Sequence, residues 1–565
     1  MYQLWHVDNK QLIKIRDVVF HEHVLWHPTL VRDKLALGWE FTGDATSADN
    51  SEFDTIDSDD IETLYPVIGD LKSNDKTDCT DAVLQLSEKL IEPSIPNSFD
   101  ATMKSKEADQ WSCACTTEHN AMISNDVYDW VCLEEVDKNT RILPSKWLFI
   151  IKRRIDSSIE KYKARIVAVG HIQRKGIDFK ETYAPVAKFA SLRILLTLAA
   201  LNDWSCEQGD IVTAFLHGDL EETIYMRSQK GIFPKLGNNI LYRGKQCVYN
   251  GMLIPENLKP NIVWRLNKSL YGLKQSPRCF YNRLDAVLKS KDYIRVHADY
   301  GVWTKRQNER EVILIVHVDD MLVLGTKIGI EELKMLLNAS FEMKWMGPLQ
   351  DSLFVGVRIR CTDVFLLSQE RYANAIVFRF ELNDANECFT PVDPKEDCNP
   401  RQEDIPLNDI ERQTYQAALG SLIYLMLGTR PDLAFPINKL AQYSSTPTMR
   451  HWNGVKRIIQ FVKKTACFEL VLGKRSIKTG GLVGYFDAAY MDDSKDRHST
   501  MGYIFFYCHS AISWAWKKQH TVPLSTTEAE YLAGTEATKE SIWITAFLED
   551  IGEKVLGPVK LLVDN

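Results

Sequence analysis

The run Val312-Ile313-Leu314-Ile315-Val316-His317-Val318-Asp319-Asp320-Met321-Leu322-Val323-Leu324 decides the fold of this chain. Two apolar, β-branched-rich stretches flank a short polar centre, the pattern of a β-hairpin with Asp319 and Asp320 at its tip. Adjacent carboxylates repel each other and resist burial. A plain solvated turn would satisfy them. A third carboxylate argues for more than a turn. Asp210 ends an apolar strand in Gln208-Gly209-Asp210-Ile211-Val212-Thr213-Ala214-Phe215-Leu216. Carboxylates gathered from two strand ends make a hard, oxygen-rich site suited to Mg²⁺ (or Mn²⁺). Two such ions can activate a hydroxyl and stabilise a leaving phosphate oxygen.

Outward from this hairpin, the pattern predicts strands at Lys146–Lys152 and Tyr162–Val169, paired as a second hairpin. It predicts a Ser-capped helix from Ser191 to Leu201 and a helix from Pro277 to Lys289. Helices dominate from about residue 375 to about Thr465, and a final α/β segment begins near Gly480.

The 565 residues imply more than one domain. Net charge is −8, yet the acid is local: residues 41–110 hold roughly 17 acidic and 5 basic side chains, which leaves the rest weakly basic. A weakly basic body suits a protein that tracks phosphate backbones. Residues 25–125 as a whole read as an acidic, disordered linker. No run of about 18 apolar residues is present, so no membrane span is expected, and the N-terminus lacks the apolar core of a signal peptide. The 12 cysteines are scattered; Cys113, Cys115 and Cys132 form the one cluster, read as reduced thiols. His21, His23 and His27 read as exposed histidines.

The C-terminal segment holds a second set of acids. Tyr485-Phe486-Asp487 ends a strand, Ser525-Thr526-Thr527-Glu528-Ala529-Glu530 opens a capped helix, and Lys560-Leu561-Leu562-Val563-Asp564 reads as another strand ending in an acid. Acids in a first helical turn ordinarily just complement the helix dipole.

The stretch Gln208 to Met226 resembles the first catalytic motif of copia-type reverse transcriptases. Leu270-Tyr271-Gly272-Leu273-Lys274-Gln275-Ser276-Pro277-Arg278 resembles their second, and His317-Val318-Asp319-Asp320 their aspartate pair, with His317 where the family usually has Tyr. Lys161 to Ala168 and Asp178 to Val186 resemble the fingers. Trp345 to Leu349 and Phe354 to Val357 resemble the segment gripping the primer. The resemblance implies an α+β fold: a fingers–palm reverse transcriptase at 126–372, a helical connection at 373–475 and an incomplete ribonuclease H-like α/β domain at 476–565. Leu4-Trp5 with Arg16 to Glu22 resembles the tail of an integrase, here 1–24, with no integrase core.

By this resemblance Asp210 and Asp319 hold the metals with the Ile211 carbonyl, and Asp320 completes the set. Phe215 lies under the nucleotide sugar or, equally, is a core aromatic. Lys163 and Arg165 grip the triphosphate or form a solvated strand face. Gly272 admits close backbone approach to nucleotide or template. Asp487, Glu530 and Asp564 bind ions for hydrolysis of hybrid RNA, with activity weakened by the early end of the domain. The implied partners are an RNA or DNA primer–template and dNTPs, in the cytoplasm, a virus-like particle or the nucleus. The rival expectation is an inactive relic of the element.

Overall fold

The computed structural model describes residues 2–6, 11–15, 96, 98–153, 159–229, 247–249, 252–254, 262–307, 310–393, 399, 401, 403–473, 481–492, 496–555 and 557–563. Tyr2–His6 and Gln11–Ile15 pair antiparallel. The rest of the region assigned to an integrase tail, and most of the acidic linker, lie outside the described residues.

One part of that linker is ordered. Helix α1 spans Ala108–Ser124, after a short helix at Phe99–Thr102. Trp111, Ala114, Cys115, Glu118 and Met122 are its buried positions, a stripe at helical spacing. The stripe escapes a reading by composition because Asp, Ser, Thr and Asn surround it and a Glu sits inside it. Strand β1 is Tyr128–Cys132; β2 (Ser145–Arg153) and β3 (Ile159–Ala168) form the expected hairpin, with Lys146 opposite Val167. Helix α1 packs on β3, and Trp111 meets Phe149 and Tyr162 edge-on with ring centroids at 5.3 and 4.7 Å.

Helix α2 runs Phe189–Leu201, starting two residues before the predicted cap. Ser191 is inside it, and the cap comes from afar. The Asp299 carboxylate accepts from Ser191 Oγ at 2.5 Å and from Lys188 N–H and Gly301 N–H at 2.9 Å each. Strand β4 is Ser205–Ile211, β5 is Asp219–Met226 and β6 is Ile262–Lys268. Helix α3 is Ser276–Lys289. Strands β7 (Val302–Gln307), β8 (Arg310–His317) and β9 (Asp320–Gly325) follow, then helix α4 (Lys327–Ser340) and strand β10 (Met343–Pro348).

The central sheet has six antiparallel strands in the order Ile294–Arg295, β7, β8, β9, β4, β10. Its middle hairpin is buried on both faces. Ile313, Ile315, Leu322 and Leu324 join one apolar cluster with Leu192, Leu195 and Leu196 of α2. Val312, Leu314, Val316, Met321 and Val323 join another with α3 and α4. A strand covered on both faces reads as a continuous apolar run rather than an alternation, which is what the sequence shows.

Beyond it, β11 (Asp351–Phe354), β12 (Val357–Cys361) and β13 (Phe365–Ser368) form a sheet completed by β14 (Leu470–Leu472). The helices between include α5 (Asp409–Thr429) and α6 (Met449–Lys464). The last sheet orders β17 (Ser510–Lys518), β16 (Thr500–Tyr507), β15 (Leu482–Ala489) and β18 (Lys560–Leu562), with β18 parallel to β15 and helix α7 (Thr526–Asp550) packed on β15.

The three segments 126–372, 373–475 and 476–565 do not keep separate cores. One apolar cluster contains Leu196 of α2, Leu422 of α5, Trp514 of β17 and Phe547 of α7. Arg193 of α2 sits inside it, 4% exposed. It donates from Nε to Ile512 O (2.7 Å), from Nη1 to Leu427 O (2.7 Å) and Gly428 O (2.9 Å), and stacks 3.9 Å from the Trp514 ring centroid. The cation sits where the carbonyls end α5, which favours positive charge. Arg193→Ala would strand those carbonyls in an apolar setting, and urea unfolding of the whole chain should show a loss of about 3–5 kcal/mol.

Candidate active site

The register of the central sheet assembles the first acidic set. Asp320, first residue of β9, lies opposite Asp210 on β4, and Lys344 of β10 lies opposite Asp210 on its other side. Val318 and Asp319 form the two-residue turn of the hairpin, since His317 pairs with Asp320. The Ile211 N–H donates to the Asp319 carbonyl at 3.2 Å, so Ile211 and the turn are tied together. Val318 has φ +57°, a conformation that β-branched residues rarely adopt. Thr213, just past β4, has φ +54°. Strain of this kind persists where packing on both sides over-determines it.

Burial, and then the Asp319 charge, push the Asp210 carboxyl above the usual carboxylate range, against Lys163, Lys152 and Lys344. A carboxylate in that position gains from a cation. As the side chains stand, no three His, Cys, Asp or Glu groups among the described residues are arranged to hold a metal ion. The donor chemistry nevertheless fits a hard divalent ion: all oxygen, from adjacent strands, with one group short of positive charge.

Lys163 and Arg165 are both on β3, but they differ. Lys163 is half-buried and acts electrostatically on Asp210. Arg165 is 6% exposed, with its guanidinium 4.1 Å from the Tyr271 ring centroid. The solvated strand face expected as one alternative is therefore not what Arg165 occupies. Phe215 is buried in the core shared with the sheet, and its ring meets Tyr271 edge-on at 4.9 Å. Gly272 has φ +86°, and a Cβ there would lie 2.2 Å from the Ala168 carbonyl oxygen. The close approach it permits in this structure is to strand β3.

His317 is half-buried and lines a cavity of about 30 Å³ with Phe189, Leu192, Phe354 and Val355. Burial pulls its pKa down to about 4, so its ring is neutral at pH 7.

In the second acidic set, Asp487 sits on β15 opposite Gly502 of β16. At the start of α7, Ser525 Oγ accepts from Glu528 N–H at 3.1 Å, and the Glu528 carboxylate accepts from Leu524 N–H at 2.6 Å. Glu528 thus belongs to the cap. Glu530 instead has a buried Oε2 with no hydrogen-bond partner. An orphaned buried carboxylate oxygen suits a cation ligand. Asp564 lies outside the described residues.

Sequence reasoning gave no role to Glu118, Tyr271 as a ring, or Asp299. The helical spacing of Trp111, Ala114, Cys115 and Met122 could have revealed the helix that brings Glu118 in; nothing local marked the other two.

Residues 125–255 and 251–394 match the family described as reverse transcriptase (RNA-dependent DNA polymerase). The chain is 38% identical over 465 residues to the retrovirus-related Pol polyprotein from transposon TNT 1-94 of Nicotiana tabacum, an alignment covering 81% of this chain and 33% of that protein. It is 32% identical over 461 residues to the Pol polyprotein from transposon RE2 of Arabidopsis thaliana, covering 81% and 29%. The chain spans about a third of the length of these curated relatives. A solved foamy viral protease–reverse transcriptase in complex with double-stranded DNA aligns over 80% of this chain and 62% of its own, at 12% identity and a TM-score of 0.22, too slight a likeness to bear on the fold.

Two outcomes follow for the free protein. The raised Asp210 carboxyl is a cost at neutral pH that protonation relieves, so Asp210→Asn should melt higher than wild type at pH 7 without divalent ions, and the gain should shrink as pH falls through the carboxylate range. His317 has the opposite sign: its folded pKa is lowered, so the unfolded chain takes up the proton first. Stability it contributes is present above pH 6.5 and lost as pH falls towards about 4. His317→Gln should flatten acid unfolding in that window, read by circular dichroism.

Proposed function

Residues 125–394 of this chain belong to the reverse transcriptase family, within a sequence related to copia-type retrotransposon Pol polyproteins, and from that premise we propose that the chain is an RNA-directed DNA polymerase. It would extend a DNA 3′ end on an RNA or DNA template with dNTPs and release pyrophosphate. The observation that carries this is the register placing Asp210 opposite Asp320, with the Asp319 turn tied to Ile211.

Asp210 and Asp319, with the Ile211 carbonyl and Asp320, would hold Mg²⁺ or Mn²⁺, which when bound favours the nucleophilic form of the 3′-hydroxyl and stabilises the leaving oxygen. The chain's own residues supply the rest. Lys163, half-buried on β3 and acting electrostatically on Asp210, would meet the triphosphate, while the Arg165 guanidinium beside it on the strand lies over the Tyr271 ring. Lys152 and Lys344 add positive potential around Asp210. Phe215 follows the Asp210 strand end by five residues and is the aromatic that would face the sugar and exclude a 2′-hydroxyl. Basic side chains around the site make primer–template binding salt-sensitive.

Asp487 and Glu530, with Asp564, would form a second two-ion site that cleaves RNA in a hybrid. The orphaned Glu530 oxygen supports this reading. A second overall reading, a folded relic without polymerase activity, draws on His317: a smaller side chain beside a cavity at the end of the strand leading to Asp319.

Purified protein on a primed RNA template is the test. With Mg²⁺ or Mn²⁺, dNTP incorporation is expected, and Asp319→Asn/Asp320→Asn should reduce it to background. Glu530→Gln should leave incorporation intact and remove any hybrid cleavage. Well-folded wild type that incorporates nothing would leave the relic.

A further inference from the structure

Helix α1 lies upstream of the residues matched to the reverse transcriptase family, and its Glu118 has no part in the mechanism above. Glu118 is 6% exposed and stands in an otherwise apolar stripe. Burying a carboxylate costs several kcal/mol unless partners offset it, so its partners show what the position does. Its Oε1 accepts from the Ile166 N–H at 3.2 Å. That N–H belongs to β3, beside Arg165. The Arg165 and Lys163 cations both favour the charged form of Glu118, though burial outweighs them.

From Arg165 the contacts continue. Its guanidinium lies over the Tyr271 ring. The Tyr271 carbonyl accepts from Ala168 N–H at 2.8 Å, which locks the ring's backbone to the same strand. Tyr271 meets Phe215 at an interplanar angle of 69°. A hydrogen bond ties α1 to the backbone of β3 next to Arg165, and two ring contacts lead from Arg165 to the aromatic that the proposed function places against the sugar.

We propose that Glu118, Arg165 and Tyr271 are positioning residues that set the seat of Phe215, and through it the preference of the nucleotide site for deoxyribose over ribose. The inference rests on Phe215 being the sugar contact. Excluding one hydroxyl by shape demands a ring that does not yield. An edge-on contact to a second ring, itself covered by a planar cation on a strand that Glu118 bonds to α1, supplies that stiffness. A lysine at 165 keeps the charge but not the planar stack.

The test measures dissociation constants of dTTP and ribothymidine triphosphate for the full chain on a dideoxy-terminated primer–template, a readout that needs no turnover. The ratio of the two constants is insensitive to the folded fraction of a variant. Wild type is expected to prefer dTTP, and Phe215→Val to lose the preference. Arg165→Lys, Tyr271→Leu and Glu118→Leu are each expected to lower it about five-fold, the scale of one cation–π or ring contact. Glu118→Leu removes the acceptor for Ile166 N–H, whereas Glu118→Gln keeps it and is expected to leave the ratio at the wild-type value. If Phe215→Val loses the preference while Glu118→Leu or Arg165→Lys keeps it, the inference is overturned and the sugar contact stands. If Phe215→Val keeps the preference, the sugar contact itself is wrong and the inference goes with it.

Discussion

Burial of the Val312–Leu324 hairpin on both faces is the constraint on which the rest depends. Helix α2 covers one face and helices α3 and α4 the other. Each buried aliphatic side chain contributes about 1.5–3 kcal/mol relative to exposure. That stabilisation holds a turn with an unfavourable Val318 conformation and brings Asp319 and Asp320 against Asp210. The carboxylates are at the place where this hairpin leaves its apolar cover.

Charge at that point is crowded. The rise in Asp210's pKa comes from burial first and Asp319 second, and nearby lysines moderate it. In the function proposed above, the same side chains that destabilise the free protein would ligate a divalent ion, a trade of stability for function. The second acidic set shows the same feature in another form, an unpartnered Glu530 oxygen.

The molecule supports the central sheet from a distance. Asp299 caps α2 through Ser191 and Lys188, and Gly301 beside it accepts from Val316 N–H on β8. Arg193 on the same helix ties α5 and β17 into the core. Further out, the Asp550 carboxylate of α7 accepts from His297 and Ala298 N–H groups. Segments that read as successive domains thus share one apolar interior, and α2 is the element they have in common.

Local periodicity alone placed the two hairpins, helices α2 and α3 and the acids near strand ends: apolar runs for strands covered on both faces, 3.6-residue spacing for helices. The sequence separated Glu530 from Glu528 only by resemblance; the structure gives the reason, since Glu528 spends its carboxylate on the cap. Tertiary structure alone decided what each polar side chain meets. Arg165 faces a ring and not solvent, Gly272 is small for strand β3, Ser191 is bonded by an aspartate 108 residues away, and Glu118 is drawn from a supposed linker into the core. These are long-range pairings set by how sheets and helices stack, and no local pattern in the chain encodes the partner of a buried charge.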